Sequence, residues 1–203
     1  MKLKFAIFSL AIAQLVGAAT VFDNGAPNLQ NAAASDLGNG FTSYENFILG
    51  GTTTLRSVQW WGIYFPGNTA SADSFTVSIY ANNAGQPGSA VAGPLSVAAT
   101  RQVTANTVGG TWDLYLYDAV IPDTVLGAGT YWLSIVNNTS GADSWYWATS
   151  ASSGDARQNT GALNLELAFN LSDTASTVPE PSTYLLSAAG LAGIFLAARR
   201  RPA

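Results

Sequence analysis

Carboxylates and tryptophans are the side chains in this chain that could do chemistry. Histidine and cysteine are both absent. Their absence removes the Ser-His-Asp triad, the thiol nucleophile, the disulfide framework and the Cys/His zinc site. Acid–base work is left to twelve Asp and Glu residues. A glycosidase needs two carboxylates about 5–10 Å apart across the scissile bond. Asp23, Asp36, Glu45, Asp113, Asp143 and Glu166 are the candidates. Nothing in their spacing pairs them, and Glu166 lies in an alternating run that turns it toward solvent. A secreted hydrolase is therefore the most remote reading, and the chain is expected not to be an enzyme. Carboxylates at loop ends also hold structural calcium. Asp23, Asp36 and Glu45, near the first strands, are the candidate ligands, with no EF-hand-like run behind them. No other cofactor is expected.

The six tryptophans suggest a different chemistry. Trp60 and Trp61 are adjacent, so on a strand they face opposite sides, and one leaves the core unless a bulge at Gly62 turns the chain. Trp145 and Trp147 share a face, with Tyr146 on the other. Coplanar aromatic rings can carry the apolar faces of sugars. Trp61, Trp145 and Trp147 are thus the candidate ligand platform of a carbohydrate-binding module. The competing reading puts these rings in the core, the usual place for Trp in a β protein.

The elements that must position these residues read as strands. Phe75, Val77 and Ile79 share one face of a period-two run, and Trp112, Leu114 and Leu116 share another. The run 163–171 alternates most cleanly, and 131–137 less so. Further strands are expected over 43–49, 55–65, 95–104 and 144–149. Turn signals separate them, among them Asn39-Gly40, Pro87-Gly88, Gly109-Gly110 and Pro122-Asp123. About eight or nine short strands over 20–171 predict an all-β fold, a single antiparallel β-sandwich of jelly-roll-like type. Residues 172–178 are small and polar and read as a linker.

Charge is placed unevenly. Residues 20–178 carry 3 basic and 11 acidic residues, a net −8, although the whole chain is formally −4. An acidic body argues against nucleic acid and anionic surfaces as partners. The remaining cations sit at the two ends. Lys2 and Lys4 precede an apolar run over 5–16 and small residues at 17–19. That is the pattern of a removable signal peptide, 1–19, forming an N-terminal signal helix cleaved after Ala18 or Ala19. At the other end, 182–198 is uncharged and followed by Arg199, Arg200 and Arg201. As a C-terminal transmembrane helix this stretch would span the inner membrane, with the arginines as a cytoplasmic stop. Pro179, Glu180 and Pro181 hold the chain extended just before it.

Pro179-Glu180-Pro181, the short apolar helix and the terminal arginine cluster together resemble the PEP-CTERM sorting signal of exported proteins in Gram-negative bacteria that make extracellular polysaccharide. The resemblance covers 179–203. It implies recognition by an exosortase-type processing enzyme after passage through the export machinery, removal of the tail near Pro179, and delivery of the body to the cell surface or matrix. Pro179, Glu180, Pro181 and the three arginines are then a tag and not catalytic residues. The leading expectation is an exported surface or extracellular-matrix structural protein. The alternative is a carbohydrate-binding module of the polysaccharide matrix, with extracellular polysaccharide as its partner.

Overall fold

The computed structural model describes residues 20–174 apart from 140 and 152. The signal segment 1–19, the end of the linker and the segment 179–203 with its expected helix 182–198 lie outside the described residues.

Alternation of apolar and polar residues produces ten main strands: β1 (Thr20–Asp23), β2 (Ala32–Ala34), β3 (Ser43–Leu49), β4 (Thr53–Phe65), β5 (Phe75–Asn82), β6 (Pro87–Val97), β7 (Thr100–Val108), β8 (Trp112–Leu126), β9 (Gly129–Val136) and β10 (Ser144–Ala151). Four short strands follow: β11 (Arg157–Gln158), β12 (Gly161–Ala162), β13 (Glu166–Leu167) and β14 (Phe169–Ser172). Among the described residues no helix is long and apolar enough to cross a membrane.

The strands form two antiparallel sheets. One contains the neighbours β2-β10-β4-β8-β7, with β14 and then β1 sharing the β4 edge beside β10, and β13 on the far end of β10. The other runs β12-β11-β3-β9-β5-β6. Both inner faces supply one core, as expected for a sandwich. It is unusually aromatic. Trp60 stacks on Tyr117 at 5.5 Å, and Phe75 meets Trp60, Tyr117 and Trp145 edge-on at 4.9–5.0 Å. Trp147 meets Phe169 at 6.0 Å. Such contacts add to the burial of rings that are already large.

The observed strands depart from the expected ones at three places. Pro122-Asp123 is not a turn but lies inside β8. β7 leaves β8 after Asp118, and the pairing with β4 is irregular between Leu55 and Ser57, so no partner needs the missing proline N–H there. The expected strand 95–104 is the end of β6 and the start of β7, which lie in different sheets. The run 163–171 keeps its alternation, but only 166–167 and 169–172 pair as strands.

The irregularity at Arg56 also decides which tryptophan is buried. Leu55 faces the core; past the bulge the inward positions become Val58, Trp60 and Tyr64. Trp61, Ile63 and Phe65 are turned to the outer face. The first residues of the linker are tied down. Arg56 donates to the Asp173 carbonyl at 2.8 Å, and Ser57 Oγ donates to that of Thr174 at 2.8 Å.

Candidate functional site

The expected platform is corrected by the structure. Trp145 and Trp147 do share a face, but it is the inner one, and both are fully buried. Trp147 donates its Nε1–H to the Ala168 carbonyl at 2.8 Å. Trp145 lies flat against Gly62, where any Cβ would overlap its indole. Burial between two sheets leaves neither ring a free face for a sugar. Trp61 is half-exposed and faces outward, where it joins Trp112 and Tyr146 against a second, smaller cluster of Ile63, Val108, Leu114 and Ala148. Phe65 meets Trp112 at 5.2 Å and Tyr146 at 5.3 Å, lining a shallow pocket of about 180 Å³ with Gln30 and Asn31 at its rim.

The expected calcium ligands are not brought together. Among the described residues no group of three or more Asp or Glu could hold a metal ion. Each acid instead accepts from N–H or O–H groups. Asp23 Oδ1 accepts from the Gly25 N–H at 2.8 Å. Asp36 accepts from the Gly38 N–H at 2.9 Å, the Trp145 N–H at 2.8 Å and Thr139 Oγ1 at 2.6 Å. Glu45 accepts from the Leu167 N–H at 2.6 Å and the Asn46 N–H at 2.9 Å.

Spacing missed one carboxyl pair. Glu45 points inward from β3, and Glu166, half-buried and not simply solvated, hydrogen-bonds to it from β13. Burial first, and the Glu166 carboxylate second, push the Glu45 pKa up to about 9. Glu166 also accepts from Asn24 Nδ2 at 3.1 Å and the Asp155 N–H at 3.2 Å. A carboxyl pair this close has no room for a sugar bond or water between its members, and Glu45 has no path to solvent. The pair joins the two sheets by sharing a proton.

A polar concavity lies on the outer face of the six-stranded sheet. Register sets Asn46 of β3, Trp132 of β9 and Tyr80 of β5 side by side. Trp132 is only 1% exposed and gives its Nε1–H to Asn82 Oδ1 at 3.0 Å. Residues 154–164 form one wall, and the turn after β5 forms the other. Arg157 donates from Nε to the Gly85 carbonyl at 3.2 Å, linking the two. The cleft encloses about 370 Å³, within the range of small-molecule sites. Asn46, Asn82, Thr130, Asp155, Arg157 and Asn164 supply its polar groups. None of these was singled out from sequence. The outward positions of β3 and β5 were legible in the alternation, but the wall at 154–164 was not.

Comparison with known protein families matches residues 177–201 to the PEP-CTERM protein-sorting motif. The chain carries a PEP-CTERM sorting signal. The motif implies an exported protein whose precursor transits the membrane and is processed by an exosortase-type enzyme. The match spans the Pro-Glu-Pro segment and the arginines, all outside the described residues. No curated protein and no solved structure matches the chain.

Proposed function

We propose that this protein is a non-enzymatic surface or extracellular-matrix component, exported through its N-terminal signal and delivered by its PEP-CTERM tail. The observation that carries this reading is the sorting motif at 177–201. The body has the build of a passive exported domain. The strand orders β2-β10-β4-β8 and β3-β9-β5-β6 are those of a jelly-roll-like sandwich. It needs no disulfide, because a chain of this size buries a sufficient core. Its buried acids Asp36 and Glu45 accept from N–H and O–H donors, which supports a reading without a cofactor. The test is the intact mass of the protein recovered from the cell surface. A chain ending near Pro179 is expected. A recovered chain that still ends in the Arg199–Arg201 cluster would leave a plain membrane anchor and remove the sorting reading.

A second reading, a carbohydrate-binding module of the matrix, is supported by the polar cleft over Trp132 and not by the buried Trp145 and Trp147. Extracellular polysaccharide is then the partner.

A further inference from the structure

We propose that the cleft between the outer face of the six-stranded sheet and residues 154–164 is a binding site for a neutral saccharide unit. This deepens the carbohydrate-binding reading by giving it a site and a ligand class.

The donor set selects the ligand. Amide, carboxylate and guanidinium ends each present two hydrogen-bonding atoms in one plane. That geometry suits pairs of adjacent hydroxyl groups. Asn46, Asn82 and Asn164 supply amides, Asp155 a carboxylate and Arg157 a guanidinium, all lining one space.

These groups are largely unspent on one another. Asp155 and Arg157 form no ion pair, the pairs among the described residues being Arg56–Asp123 and Arg101–Asp73. The Asp155 carboxylate accepts a long 3.4 Å approach from Asn46 Nδ2, while its backbone N–H donates to Glu166. Asn82 spends its Oδ1 on Trp132 and the Gly85 N–H, which leaves its NH2 group to donate. An acid and a base facing one cleft without neutralising each other directly are poised for a ligand that both donates and accepts.

Charge then excludes the alternatives. One acid and one base cancel within the cleft, so it has no net attraction for an ion. The surrounding domain, at net −8 over 20–178, repels polyanions such as uronate polymers and nucleic acid. Exposed Ile48 and Ala162 give apolar surface for the C–H faces of a ring.

Two substitutions remove polar groups without disturbing the frame. Asn46→Ala leaves the Asn46 N–H bond to Glu45 in place. Asn164→Gly removes an amide at a residue held at φ 55°, a conformation glycine adopts freely. The full chain in detergent micelles is screened on an array of neutral oligosaccharides and titrated calorimetrically with cellohexaose, laminarihexaose and maltohexaose. Polygalacturonate and free glycine serve as anionic and zwitterionic comparisons. The expected result is binding of at least one neutral glycan, weakened about tenfold or more by each substitution, with urea midpoints unchanged and Trp112→Ala, in the aromatic pocket of the other sheet, without effect. Binding of no neutral glycan, or only of polygalacturonate or glycine, would overturn both the site and the carbohydrate reading. Neutral-glycan binding that survives both substitutions but is lost in Trp112→Ala would overturn this site and move the carbohydrate reading to that pocket.

Discussion

Replacing Glu45 by glutamine should remove most of the pH dependence of this domain's stability. Glu45 is fully buried between the sheets, accepts two backbone N–H bonds, and abuts Glu166. Its pKa is pushed up to about 9 from 4.5. Between those values the folded protein holds a proton that the unfolded chain has released. The stabilisation it brings is fully present below pH 4.5 and is lost as pH rises through about 9. The slope is about 1.4 kcal/mol per pH unit, so from pH 5 to pH 8 the folded state should lose about 4 kcal/mol. That is a large share of the ~5–15 kcal/mol that holds a typical domain.

Glutamine resembles the protonated acid in shape. Its oxygen can still accept from the Leu167 N–H and its NH2 can donate to Glu166, but that NH2 meets the Asn46 N–H that Glu45 Oε1 accepts. The variant should therefore start about 1–3 kcal/mol below wild type near pH 5 and hold that stability as pH rises, so that the gap closes or reverses by pH 8. Urea unfolding followed by tryptophan fluorescence at pH 5, 6.5 and 8 measures both slopes. A wild-type stability flat to within about 1 kcal/mol across that range, or an equally steep Glu45→Gln profile, would refute the shared-proton account.

Other substitutions test the packing. Gly62→Ala places a Cβ on the Trp145 indole and should destabilise by about 1–3 kcal/mol through overpacking, seen as a lower urea midpoint with unchanged m. Trp147→Ala, which empties a fully buried site and orphans the Ala168 carbonyl, should cost about 3–5 kcal/mol. Half-exposed Trp61→Ala should cost much less by the same measurement. Equal losses would contradict the assignment of inner and outer faces.

What the sequence made legible follows from how local each feature is. Alternation over Ser43–Leu49 and in the run 75–79 gave those strands their faces, because a period of two needs no knowledge of the partner strand. It also showed that Trp145 and Trp147 share a side. It could not show that this side is the core, since Tyr146 on the other face is equally apolar. Which of Trp60 and Trp61 is buried depends on the irregularity at Arg56, set by pairing with β8 over sixty residues away. The short strands β11 and β12 carry too few residues for a periodicity, yet they frame the cleft. Pro122 misled because proline punctuates most chains, whereas here it lies where its side of β8 has no neighbour.

The acids were the hardest to read, because their partners are backbone N–H groups of distant segments, which have no sequence signature. Asp36 reaches Trp145, Glu45 reaches Leu167, and Asp143 accepts from the N–H groups of Gly67 and Thr69 at 2.8 and 2.6 Å. Bonds from N–H groups to an aspartate carboxylate are charge-assisted and each worth about 1.5–3 kcal/mol, while the bond to the protonated Glu45 is worth about 0.5–1.5 kcal/mol. They tie the chain at separations of 74 to 122 residues without a cysteine. Asp36 is surrounded by donors on both oxygens, so an asparagine there must turn its NH2 toward a donor whichever way the amide lies. Asp36→Asn should therefore destabilise by about 2–4 kcal/mol at pH 7. An unchanged urea midpoint in this variant would show that the carboxylate is not held by the donors assigned to it.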